Sequence, residues 1–135
     1  MEYTWEKLVV EISEMYISGL GEVEISSNLA GSVLVGTGVI ERIETDASVA
    51  APFIQLNMPR VEVQHNEKVF VADFLALNFN ELYPLRVKHL SKGANISFKT
   101  TIIKSNGPFP GISISECEDE KEILIMPGTQ DSEIA

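Results

Sequence analysis

The chain has little of what enzymes usually rely on. One cysteine, Cys117, among 135 residues excludes an internal disulfide and suits a reducing compartment. Cys117 also stands in an acidic run that disfavours its thiolate, which argues against a nucleophile. The two histidines, His65 and His89, lie far apart, with no cysteine or carboxylate at ligand spacing, so no metal site is expected. There is no nucleophile elbow. The glycine-rich run GSVLVGTG lacks both the G-x-G-x-x-G spacing of a phosphate loop and a helix after it. Without convergent titratable groups, an enzyme is not expected, and neither is a cofactor. Apolar runs never approach the 18 residues of a membrane span. The polar, acidic start MEYTWEK carries no basic segment leading into an apolar one, so no signal peptide is expected and the expected location is cytoplasmic.

Basic residues are scarce too. Ten Lys and Arg face twenty Asp and Glu, a net charge of −10, which disfavours loose adhesion to nucleic acid or anionic membrane. The imbalance is uneven. Residues 1–59 carry nine acids and two bases, and residues 105–135 carry seven acids and only Lys121. Between them, residues 60–104 hold seven bases against four acids, which leaves room for a local phosphate-facing groove. The plainer reading is that these charges serve solubility.

What is present is β-branched and glycine-punctuated. Ala30–Ile43, AGSVLVGTGVIERI, is a long strand pattern interrupted by Gly36 and Gly38. Paired glycines let one strand coil and serve two sheets, as small closed barrels require. Before it, Trp5, Leu8, Val9, Ile12, Met15 and Tyr16 recur at helical spacing, with Thr4 placed to cap and Gly19 or Gly21 to stop the helix. A short extension is expected at 22–26. Further strands are expected at Phe53–Asn57, stopped by Pro59, with a continuation at 61–63, and at Lys68–Phe74. A short helical connection limited by Pro84 precedes strands at Asn95–Lys104, Ile112–Glu116 and Ile123–Met126. The expected organisation is an N-terminal amphipathic helix over 1–21, packed on a barrel over 22–126, with a disordered tail over 127–135.

Three strands, a helical connection and two more strands make up the OB-fold layout. That layout is carried by Gly36-Thr37-Gly38-Val39-Ile40 with Ile43-Glu44, Pro52–Leu56, Val69–Phe74, Leu90–Lys99 and Gly111–Cys117, over about residues 30 to 118. In these residues the chain resembles small bacterial OB-fold proteins grouped as tRNA-anticodon-binding-like. The resemblance implies a mainly β, five-stranded OB-fold-like barrel and brings no catalytic residues. The N-terminal helix lies outside the family pattern.

Such a barrel binds on the face of its second and third strands and at the adjoining loops. Single-stranded nucleic acid needs flat aromatics for its bases and cations for its backbone. The candidates are Phe53, Gln55, Arg60, Lys68, Phe70, Lys99, Lys104 and Phe109, the last held between two prolines. Phe70, Ala72 and Phe74 share parity, which favours the barrel interior for that face. Four cations on phosphates would give a log–log salt slope of about −3. The leading expectation is therefore a non-enzymatic module for single-stranded nucleic acid. The alternative is an acidic adaptor or inhibitor that mimics nucleic acid toward a basic protein partner, presenting Trp5 and Tyr16 with Glu118, Asp119 and Glu120.

Overall fold

A computed structural model describes residues 1–44, 53–78, 90–102, 112–117, 120–125 and 128–134, with side chains described only as far as Ile102 and not at Glu44 or Asn78. The elements are β1 (Glu2–Thr4), α1 (Trp5–Ile17), α2 (Glu22–Leu29), β2 (Val33–Glu44), β3 (Phe53–His65), β4 (Lys68–Asn78), β5 (Asn95–Thr101), β6 (Ile112–Cys117), β7 (Glu120–Ile125) and β8 (Gly128–Ile134).

β2, β3 and β4 form an antiparallel meander, and β5 returns to lie against β2, giving the spatial order β5-β2-β3-β4 of a Greek key. β7 then runs parallel to β4 on the far flank. The protein is mainly β with an OB-like strand path. The central strand serves two neighbours in turn. Val33–Val39 pair with β5, while Val39–Glu44 pair with β3 across a bulge between Ile40 and Arg42.

The two glycines of β2 act by close approach. Their φ angles are not positive, so a side chain would be tolerated by the backbone itself. A Cβ at Gly36 would lie 3.0 Å from Phe98 Cζ, and one at Gly38 would lie 2.7 Å from Met58 Sδ. Met58 and Phe98 fill the core space that the missing side chains leave.

Several elements depart from the sequence expectation. Residues 22–29 form a helix rather than an extension, because Ile25, Ser26 and Leu29 fall on one buried helical face. β3 runs on through Pro59, which sits at a bulge where Met58, Pro59 and Arg60 oppose Asp73 alone. The expected disordered tail contains β8, whose backbone completes the outer edge of β5. β6 likewise covers the outer edge of β7. Both flanks thus have partners of their own. Among the described residues no ladder joins them, and the sheet stays open where a closed cylinder is expected. The helical connection before residue 90 lies outside the described residues.

α1 starts from Thr4, whose Oγ1 accepts from the Lys7 N–H, and ends where Gly19 takes a positive φ of 103°. Leu8, Val9 and Ile12 are fully buried. Trp5 Nε1 donates to the Pro59 carbonyl at 2.8 Å, so the β3 bulge is also where the helix is fastened. Ser13 Oγ donates its one proton to the Val10 carbonyl at 2.7 Å. Its 3.2 Å contact with His65 Nε2 therefore requires that the imidazole donate, which sets the tautomer of His65. Tyr16 and His65 both meet Phe70 edge-on, at 5.5 and 5.9 Å between centroids.

Candidate nucleic-acid interface

Bulges decide which residues of the meander face outward. On β3, Ile54, Leu56 and Met58 point into the core, and after the bulge Val61 and Val63 take over. On β4, Phe70 and Ala72 join the core cluster, and then Leu75 and Leu77, while Val71 and Ala76 are buried outside that cluster. Asp73 and Phe74 therefore both turn away from the core, at the point where the register with β7 also shifts. The parity that groups Phe70, Ala72 and Phe74 is broken there. Phe74 stands opposite the exposed Asn57, and cross-strand partners share a face.

The face opposite the core so formed carries Phe53, Gln55 and Asn57 on β3, Phe74 and the buried Ala76 on β4, and Arg42 on β2. Phe53 and Phe74 are both half-buried. The Arg42 guanidinium lies over the Phe53 ring, 5.7 Å from its centroid, and Arg42 pairs with Gln55 in the ladder. At the rim, Asn57 Nδ2 donates to Glu41 at 2.8 Å, and Lys92 Nζ lies 3.9 Å from the same carboxylate. The patch offers ring faces, amides and a guanidinium over a rim whose carboxylate is already shared.

The other sequence candidates separate. Gln55 joins Phe53 as expected. Phe70 is fully buried under Tyr16 and His65 and cannot stack on a ligand. Arg60 is held by Glu62 at 2.8 Å and by Asp73 at 3.8 Å, which offsets its charge. Lys68 is exposed at the far β3–β4 turn, beside His65 in the register. Lys99 is exposed opposite Val35, about 26 Å from Phe53 by strand rise. Lys104 and Phe109 lie outside the described residues. Of the residues proposed for a protein partner, Trp5 is 6% exposed and bonded to β3, and Tyr16 packs on Phe70. They are anchors within the chain, because the apolar stripe of α1 is covered by its own sheet. Glu118 and Asp119, and the side chain of Glu120, lie outside the described residues.

Arg42, Asn57 and Phe74 are the members that sequence reasoning missed. The alternation of Phe53, Gln55 and Asn57 is readable from sequence. Arg42 joins them only through the hairpin register, and Phe74 only through a bulge.

No protein-family model matches the chain, and no curated protein matches it in sequence. Among solved structures, it is similar to a protein described as a nucleic acid-binding lipoprotein from Klebsiella pneumoniae, at 15% identity and a TM-score of 0.49, over 100% of this chain and 91% of that one. It is also similar to Rim1, a mitochondrial single-stranded DNA-binding protein of S. cerevisiae, at 12% identity and a TM-score of 0.39, over 76% and 93% of the two chains. A third is Entamoeba histolytica asparaginyl-tRNA synthetase, at 14% identity and a TM-score of 0.36, over 86% of this chain and 22% of that one. At these identities and scores the comparisons carry no functional weight, and the fold assignment rests on the ladders themselves. Among the described residues, no helix is long and apolar enough to cross a membrane.

Proposed function

We propose that the outward face of β2, β3 and β4 binds single-stranded nucleic acid, with Phe53 and Phe74 stacking bases. One observation supports this above the others. Two half-buried phenylalanines share the sheet face opposite the core with the exposed Asn57, and one has a guanidinium beside it. They lie about 13 Å apart along the strands, which leaves space for intervening bases. Gln55 and Asn57, between them, supply amide donors and acceptors for base edges or sugars. Arg42 meets the backbone. In a chain of net charge −10, stacking supplies most of the affinity and phosphate contacts little.

The test is fluorescence anisotropy at low salt with a labelled oligothymidylate of about 16 nucleotides, the upper site size of one such fold. Phe53→Ala and Phe74→Ala should each weaken binding by about 1–3 kcal/mol, or roughly five- to over a hundredfold, with circular dichroism unchanged. Saturable binding that both variants leave intact, or no binding at low salt, would overturn the proposal.

A further inference from the structure

Away from that face, β1 and the N-terminal turns of α1 enclose an open groove of about 550 Å³. Met1, Tyr3 and Val10 give it an apolar surface, while Glu6, Glu11 and Glu14 surround it with three carboxylates against two cations, the Lys7 ammonium and the N-terminal ammonium of Met1. None of these three carboxylates has an ion-pair partner among the described residues.

Tyr3 is the unusual member. The residue is only 8% exposed, yet its hydroxyl makes no hydrogen bond among the described residues. No polar side-chain atom there is both fully enclosed and without a partner, so the hydroxyl must reach solvent, and the groove is where it does so. Burial and, to a lesser degree, the charge of Glu11 raise its pKa above the ordinary 10.0, and the neutral phenol can accept or donate a hydrogen bond. Tyr3 is thus a side chain packed into the core whose hydroxyl alone opens to the groove without a partner among the described residues, and set among unpaired carboxylates it suits a ligand that brings cationic donors on an apolar stem.

We infer that this groove docks a basic peptide segment of a partner protein, with an Arg or Lys stem lying on Tyr3 and Val10 and its head between Glu11 and Glu14. Charge complementarity selects this occupant. Nucleic acid and anionic lipid are repelled by the carboxylates. A second copy of the chain brings another −10. A divalent ion needs converging oxygens, and among the described residues no group of three His, Cys, Asp or Glu converges. A long cationic side chain fits, because its stem covers apolar surface while its head keeps several donors.

The experiment titrates the full chain, isotope-labelled for amide NMR, with a blocked peptide alternating Arg and Ala. The same peptide with Glu in place of Arg is the control. Shifts should concentrate at Tyr3, Lys7, Val10, Glu11 and Glu14, and the control should cause none. The double variant Glu11→Gln/Glu14→Gln should raise Kd about tenfold, and Tyr3→Phe about threefold, while oligothymidylate binding stays unchanged in both. That last readout separates failure of this groove from failure of the Phe53–Phe74 face. The inference is overturned if shifts spread over the whole acidic surface and ignore the variants, or if no saturable binding occurs at low salt. It is also overturned if magnesium or calcium alone reproduces the shifts, or if the chain self-associates through these same glutamates.

Discussion

Adding one methyl group at Gly38 tests the packing of the central strand. In Gly38→Ala the new Cβ would lie 2.7 Å from Met58 Sδ, 3.1 Å from the Asn57 carbonyl oxygen and 3.2 Å from Leu56 Cβ. Ordinary carbon contacts sit at about 3.5–4.0 Å, so something has to move. Met58 is flexible, but it is 6% exposed, and its Cε already lies against Gly36. The Asn57 oxygen cannot swing aside, because Asn57 is paired with Val39 in the same ladder. Such overpacking costs about 1–3 kcal/mol. Alanine recovers about 0.4–1 kcal/mol by restricting the unfolded chain, since the φ of Gly38 is open to it. The net destabilisation is about 1–2 kcal/mol, and Tm should fall by about 3–8 °C. Urea melts and calorimetry measure both. A double-mutant cycle with Met58→Ala should show the combined loss about 1 kcal/mol smaller than the sum of the singles. Gly36→Ala should cost less, since its nearest contacts are the far ends of Phe98 and Met58. A Gly38→Ala chain as stable as the wild type, or strictly additive costs, would refute the close-approach explanation.

Other expectations use separate readouts. With Arg42 as the one cation placed on the phosphate backbone, the oligonucleotide salt slope should be about −0.7 rather than −3; Arg42→Gln should abolish it, and Arg60→Gln should leave it unchanged, because Glu62 and Asp73 already hold that guanidinium. Trp5→Phe removes the donor to Pro59 and should cost about 1–2 kcal/mol in a urea melt; in the wild type, acrylamide should quench the only tryptophan poorly until the chain unfolds. Tyr3 titrates higher folded than unfolded, so its contribution is complete below the unfolded pKa of 10.0 and is lost as pH rises from there through the folded value. Alkaline melts should show this loss, and Tyr3→Phe should abolish that component of it.

How far the sequence was legible follows from which signals are local. Helix α1 was readable because Leu8, Val9 and Ile12 repeat at helical spacing and all are buried. The strands of the meander were readable because β-branched runs and turn residues mark them in place. The proposed face was not, because it depends on which side each strand presents, and a single bulge reverses that. Phe70 and Phe74 are alike in parity and composition, yet one is the fully buried centre of the helix–sheet contact and the other is half-buried on the opposite face. Pro59 was a usable clue. A proline inside an otherwise regular strand pattern points to a bulge at least as readily as to a strand end. Read as a bulge, it extends β3 to His65 and lets β4 change faces nearby. Arg42 had no comparable marker, since its place beside Phe53 is set by the pairing of β2 with β3 across the Ile40–Arg42 bulge. The acidic groove was hidden for a related reason. Tyr3 belongs to a three-residue strand that runs parallel to β2, and that long-range pairing, which no local pattern marks, fixes the wall of the groove opposite α1.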